Sequence, residues 1–213
     1  YALRRQANAI VDIIIRNGLK FQLVDVLKAV SSNYRDGFSL IGKLIDFVNG
    51  RARTIFTEAG FRYDEIDACM LEGNSDYLEL YKRAESLNVY RKNEKFGQLL
   101  LGFKRMNNIL SAFRKENKDY KLSFSESLLE EKEERDLYFF FAERRKQMED
   151  FISHSKYIEL FELMTEAKPL IDSFFDKVLV MDKRIEIRDN RLFILESVLN
   201  IFTNLIDFSK ISE

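Results

Sequence analysis

Apolar residues recur at helical spacing along nearly the whole chain. In "LRRQANAIVDIIIRNGL", Leu3, Ala7, Ile10, Ile14 and Ile15 form one stripe, and Gly18 supplies a C-terminal stop. "FQLVDVLKAV" reads as a second, shorter helix, and "SSNYRDG" as a loop, because Ser, Asn, Asp and Gly cluster there. The segment "FSLIGKLIDFVNGRARTIFTEAG" runs Leu40, Leu44, Phe47, Val48, Ile55 and Phe56 down one side until Gly60. "YDEIDACMLEG" is a short helix with Asp64 as its N-cap, and "GNSDYLELYKRAESLNVY" another, entered through Asn74, Ser75 and Asp76.

Beyond residue 90 the helices lengthen. "EKFGQLLLGFKRMNNILSAFRKE" places Leu99, Phe103, Met106, Leu110 and Phe113 on one face, with Lys104, Asn107, Asn108 and Ser111 on the other. "KENKDYKLSFSES" is the most polar connector, and the charge run "EEKEER" leads into "DLYFFFAERRKQMEDFI". Of Phe139, Phe140 and Phe141, at least two are expected in the core, since consecutive positions point around a helix. After the short "YIELFELMTEA", Pro169 stands in the first turn of "PLIDSFFDKVLV", where its missing N–H is tolerated. The last helix is expected from about Arg184 through "RLFILESVLNIFTNLIDF". No segment alternates as a strand should; "KVLVM" is β-like but short enough to end a helix. The pattern predicts an all-α fold, an antiparallel helical bundle.

Composition sharpens that picture. Eight Gly and one Pro in 213 residues are too few for a turn-rich β architecture. With one Cys (Cys69) and one His (His154), an internal disulfide framework is impossible and the usual zinc sites lack ligands. A reducing, cytoplasmic setting is the expectation. Lys and Arg total 34 against 35 Asp and Glu, a net charge of −1, so any nucleic-acid binding must come from a local patch. No apolar run approaches the roughly 20 residues that cross a membrane. The opening "YALRRQANAI" has neither Met nor a signal-peptide layout, as expected of a piece of a longer protein.

Catalytic constellations fail on inventory. There is no Gly-rich phosphate loop or nucleophile elbow, and one His cannot complete a metal-binding pair. Cys69 lies among apolar neighbours and reads as a buried, inert thiol; His154, at a helix junction, reads as a surface or capping residue. One constellation does stand out. In "VMDKRIEIRDNRLFIL", Arg184, Arg188 and Arg191 fall at i, i+4 and i+7 beside an apolar run. They are either a solvated face paired with Asp182, Glu186 and Asp189, or a surface that holds an anionic ligand such as RNA. Arg144, Arg145 and Lys146 form a second basic cluster, read as a solvated face or an RNA-backbone contact.

The order of motifs carries a resemblance. "YALRRQANAIVDIII", "FVNGRARTIFTEAGFRYDEIDA", "YKRAESLN", "FKRMNNIL" and "IDSFFDKVLVMDKRIEIRDNRLFIL" are similar, in this order, to stretches of the bacterial glycyl-tRNA synthetase β subunit family. The last is the most specific, matching the family's "RxNRL" at Arg188, Asn190, Arg191 and Leu192. The resemblance covers essentially the whole chain and implies the C-terminal part of that subunit. Residues 1–90 would be a helical region continuing from the β-subunit core, and 91–213 a DALR-type anticodon-binding domain. It also implies a heterotetramer of two α and two β chains, with ATP, Mg²⁺ and glycine handled by the α subunit and no catalytic residue, metal or cofactor here. The implied ligand is glycine tRNA, and the implied contacts are Lys104, Arg105, Asn108, Arg184, Arg188, Asn190 and Arg191. As surface contacts, Arg191 and Lys104 should be replaceable by Ala with little loss of melting temperature. The alternative is a non-catalytic helical scaffold that docks a protein partner through its aromatic faces.

Overall fold

A computed structural model describes residues 2–34 and 37–212; Tyr1, Arg35, Asp36 and Glu213 lie outside the described residues, and with them part of the "SSNYRDG" loop. Among the described residues there is no strand, and the fold is all-α. The helices are α1 (Ala2–Arg16), α2 (Leu23–Ser31), α3 (Gly37–Glu58), α4 (Tyr63–Cys69), α5 (Tyr77–Tyr90), α6 (Glu94–Glu116), α7 (Lys132–Ser153), α8 (Tyr157–Glu166), α9 (Lys168–Lys177) and α10 (Ile185–Asn200). The "KVLVM" segment is irregular backbone between α9 and α10. The last helix stops at Asn200, and the apolar residues beyond it are carried by turns and a short 3₁₀ segment, Phe208–Lys210.

The chain divides into two compact units, residues 1–89 with 210–212, and residues 90–209. In the first unit α3 packs against α1, α2 and α4. Its buried stripe is Val48, Ala52 and Phe56, one residue per helical turn, and Phe56 meets Phe61 and Tyr81 with ring centroids 6.1 and 5.4 Å apart. Leu40 and Leu44, expected on that stripe, are exposed, as are Ile10 on α1 and Phe38 at the start of α3. Helix α4 starts two residues earlier than an Asp64 cap requires. Arg62 occupies the N-cap, its N–H donates to the Glu65 carboxylate at 2.9 Å, and Asp64 sits buried inside the first turn. Asp76 does cap α5, accepting from the Glu79 N–H at 3.1 Å. Gly60 ends the α3 segment with φ at 95°, a left-handed conformation that glycine adopts at little cost.

The second unit is built around α6, which packs against α8, α9 and α10, while α7 covers α8, α9 and α10 from its own side. All five residues of the predicted α6 stripe, Leu99, Phe103, Met106, Leu110 and Phe113, are buried. Two aromatic clusters fill the interior: Tyr90, Phe96 and Phe161, and Phe103, Phe202 and Phe208. Of the three consecutive phenylalanines only Phe141 is fully buried, and Phe139 and Phe140 are half-buried on the flanks of α7. His154 caps the end of α7, its Nδ1 lying 2.9 Å from the Asp150 carbonyl oxygen. Cys69 is buried in the first unit, where loss of solvation pushes its thiol up to about 12, well above the range of a reactive cysteine.

Candidate nucleic-acid interface

The seven candidate side chains all lie in the second unit, but the fold gives them different tasks. The organising feature is the segment between α9 and α10, residues 178–184. Arg191 lies beneath it, 4% exposed despite its charge. Its guanidinium donates to the Leu179 carbonyl at 3.0 Å, to Asp182 at 3.1 Å and to the buried Glu134 carboxylate. The other oxygen of Glu134 accepts from the Glu130 N–H at 2.8 Å, at the start of α7. One buried ion pair therefore ties the α9–α10 segment, the body of α10 and the start of α7 together. Burying two charges is tolerable only when their remaining donors and acceptors are also satisfied, and here carbonyl and backbone N–H groups do that.

Arg184 stands directly above. It is the N-cap residue of α10 and is more than half exposed. It grips Glu130 with both terminal nitrogens, at 2.6 and 2.8 Å, and reaches Asp182 at 3.0 Å. These bonds hold the Asp182 and Glu130 carboxyls below the usual carboxylate range. Arg184 and Arg191 thus share the Asp182–Glu130 cluster, whereas Arg188 leaves it. The Arg188 guanidinium lies 5.2 Å from the centre of the Phe113 ring and binds Asp189 at 2.8 Å. Asp189 also accepts from the Tyr120 hydroxyl at 2.5 Å. Asn190 is fully buried, its side-chain oxygen accepting from the Ser125 N–H at 2.7 Å; it pins the connector between α6 and α7 onto α10.

On α6 the three candidate residues face outward. Arg105 and Asn108 are exposed, Lys104 is half-exposed, and among the described residues neither Lys104 nor Asn108 has a hydrogen-bond or ion-pair partner. The Arg105 guanidinium stacks 4.3 Å above the centre of the Phe175 ring. Arg105, Ile109 and Phe175 form one wall of a groove whose other wall is residues 176–181, with Leu179 and Met181 exposed at its rim. Arg105 and Arg184 therefore flank the same segment from opposite ends. Arg144 covers the Phe140 ring at 4.2 Å, and Arg145 pairs with Glu149 at 3.0 Å.

The arrangement offers a braced, irregular backbone with two outward cations, an amide and apolar side chains beside it. Such a surface can stack an unpaired base and hold phosphates without a basic global charge. Sequence reasoning missed the acidic partners Glu130 and Glu134, which come from the start of α7 and the residues before it. The pairing of Arg188 with Asp189 and of Arg184 with Asp182 was legible from proximity in the chain; Glu186, the third nearby acid, pairs with none of the three arginines among the described residues.

Comparison with known proteins bears on what this surface is for. Residues 99–212 match the sequence profile of the DALR anticodon binding domain. The chain belongs to the DALR anticodon-binding family. Residues 1–71 match a second profile, described as glycyl-tRNA synthetase beta subunit. Across 99% of its length the chain is 33% identical to a glycine–tRNA ligase beta subunit of Moorella thermoacetica, and 32% identical to one of Acidobacterium capsulatum. A glycine–tRNA ligase beta subunit of Clostridioides difficile is 28% identical over the same share. The chain spans about a third of the length of these relatives, 31, 31 and 30% respectively. The resemblance drawn from the motifs is therefore the right family. Among the described residues no group of His, Cys, Asp or Glu is placed to hold a metal ion, and no helix is long and apolar enough to cross a membrane.

Proposed function

We propose that this chain is the tRNA-reading part of a glycyl-tRNA synthetase β subunit and that its second unit grips the anticodon of glycine tRNA. The observation that carries this reading is the match of residues 99–212 to an anticodon-binding domain, almost wholly within the second unit. That unit has Arg105 and Arg184 beside the braced 178–184 segment and Lys104 and Asn108 outward on the same helix as Arg105. In this reading Lys104 and Arg105 contact phosphates, and Arg105 with Phe175 provides a stacking surface. Arg191 and Asn190 do not touch RNA in this reading: Arg191 holds the segment from below, and Asn190 holds the α6–α7 connector on α10. Arg188, partly exposed beside Tyr120, is a further donor at the edge.

A glycine anticodon has cytosine as its second and third letters, and cytosine presents an N4 donor beside N3 and O2 acceptors. A mixed surface of Arg, Asn and carboxylate groups suits that pattern better than a uniformly basic one. The chain supplies recognition, and chemistry lies elsewhere: a partner α subunit, in an assembly of two α and two β chains in the cytoplasm, holds ATP, Mg²⁺ and glycine.

Binding of glycine tRNA to Lys104→Ala and Arg105→Ala variants tests the reading. Each should bind several-fold more weakly, with the melting temperature unchanged in Lys104→Ala and lowered by only a few degrees in Arg105→Ala, which loses the contact with Phe175. The dependence of log K on log salt should flatten by about 0.7–0.9 for each phosphate that is no longer neutralised. Wild-type affinity in both variants would remove α6 from the interface.

A further inference from the structure

Helix α10 carries a second stripe, apart from the positions of Arg184 and Arg191. Asp189, Phe193, Glu196 and Asn200 stand at i, i+4, i+7 and i+11, one face of an α-helix. Asp189 is held by Tyr120, and Glu196 by Arg114 at 2.5 Å. Between them the Phe193 ring stacks on Phe124, centroids 4.9 Å apart and planes 24° from parallel. Phe124 in turn lies 4.4 Å from Tyr138 at 32°. All three rings are half-buried. In the core Phe103 meets Phe202 at 85° and Tyr90 meets Phe96 at 89°, while Phe103 and Phe208 are tilted at 37°. Phe193 on Phe124 is the flattest of these ring pairs, and it stands where both rings are half-buried.

Phe193 and Tyr138 also line a cavity of about 180 Å³ between α7 and α10, with Arg145 and Ser197 at its edge. That is small beside the roughly 300–1,000 Å³ typical of pockets for drug-sized ligands, and suits one planar ring system. A neighbouring hollow, sharing Phe193, Arg145 and Ser197, adds Glu196 and Glu149. The rim is charged and mixed in sign: Arg145 with the exposed Lys146 beside it, against Glu149 and Glu196.

We propose that this groove takes one unpaired nucleobase of the bound RNA, continuing the Tyr138–Phe124–Phe193 row. The inference rests on the tRNA-binding reading and names a base-holding site apart from the α6 surface. Planar rings at stacking distance recognise a base by its flat face, which any base has, so the row supplies affinity. Glu196 supplies preference. One of its oxygens is engaged by Arg114, and the carboxylate accepts from an exocyclic amine, so a base bearing one, such as cytosine, is favoured over uracil, which presents a carbonyl at that position. Arg145 and Lys146 face the phosphates on either side.

The test uses the whole chain and an anticodon stem-loop of glycine tRNA with 2-aminopurine, whose fluorescence falls on stacking, placed at each loop position in turn. In wild type one position should be quenched on binding. In Phe193→Leu, which keeps apolar bulk but loses the flat face, that quenching should vanish and affinity fall about fivefold or more. Glu196→Gln, which keeps an oxygen for the Arg114 guanidinium, should narrow the preference for cytosine over uracil in the loop while the circular dichroism melt still shows a folded chain. Unchanged quenching and affinity in Phe193→Leu, with weakened binding in Arg105→Ala, would overturn the groove while leaving the tRNA reading in place. Unchanged base preference in Glu196→Gln would remove Glu196 from the site. If the wild-type chain bound no glycine stem-loop at all, the groove and the tRNA reading would fall together.

Discussion

Replacing Arg191 separates a structural guanidinium from an RNA contact. In Arg191→Ala the Glu134 carboxylate, fully buried, loses its cationic partner, and the Leu179 carbonyl and Asp182 lose a donor. Removing one member of a buried, hydrogen-bonded ion pair costs about 3–5 kcal/mol, because the other charge stays buried without compensation. For a unit of the size of residues 90–209, each kcal/mol lowers the melting temperature by roughly 3–5 °C, so the drop should reach roughly 10–20 °C. Thermal unfolding followed by circular dichroism reads this directly. A second variant isolates the cause. Arg191→Met combined with Glu134→Gln removes both charges yet keeps an oxygen that accepts from the start of α7, and should recover part of the stability that Arg191→Ala forfeits. Binding to glycine tRNA, measured well below the transition, should weaken only as far as the 178–184 segment loosens. A melting temperature within about 2 °C of wild type, together with abolished tRNA binding, would refute the reasoning and return Arg191 to the interface, where its sequence motif first placed it.

Three further outcomes follow from the geometry. Asp182 and Glu130 are held below the ordinary carboxylate range by Arg184, so their stabilising contribution is complete above the unfolded values of about 4 and is lost as pH falls through the lower folded values. The protection of residues 178–184 against hydrogen exchange, taken relative to the intrinsic rate at each pH, should therefore hold down to about pH 4 and fall below it, and Asp182→Asn should remove part of that acid dependence and leave the share of Glu130; protection that falls between about pH 6 and 5 would contradict it. A Cβ at Gly102 would lie 2.7 Å from Ile171 Cγ2, across the α6–α9 contact. Gly102→Val should therefore destabilise the second unit by about 1–3 kcal/mol through overpacking, and a denaturant midpoint at or above wild type would show that α9 gives way freely. Cys69, with its thiol pushed up to about 12 by burial, should react with a thiol reagent at about pH 8 only as the first unit opens, and a labelling rate equal to that of the unfolded chain would place it at the surface.

What the sequence made legible, and what it did not, divides along a physical line. Helices and their faces were readable because burial repeats with the helical period: the α6 stripe from Leu99 to Phe113 is buried as spacing alone demands. Leu40 and Leu44 share the same spacing but are exposed, since periodicity says which residues share a face and nothing about what covers that face. The terminal apolar run suffered likewise. Phe202, Leu205 and Ile206 are buried from turns, where a helix was expected to continue. For the interface, the arginine spacing at 184, 188 and 191 was visible, but their separate fates were not. Arg191 turns inward because Glu134 waits more than fifty residues away in sequence, on α7. Equally hidden was the row of Tyr138, Phe124 and Phe193, drawn from a helix, a polar connector and another helix. Long-range pairings of this kind leave no mark in local spacing.

The central claim is that a chain of net charge −1 reads an anticodon through a local braced surface. Its most direct test compares affinity for glycine tRNA with that for the same tRNA carrying a changed second anticodon letter, at matched salt. Recognition at that base predicts at least about a tenfold drop in affinity, equivalent to about 1.4 kcal/mol. Equal affinity for the two, or measurable affinity for neither, would contradict it.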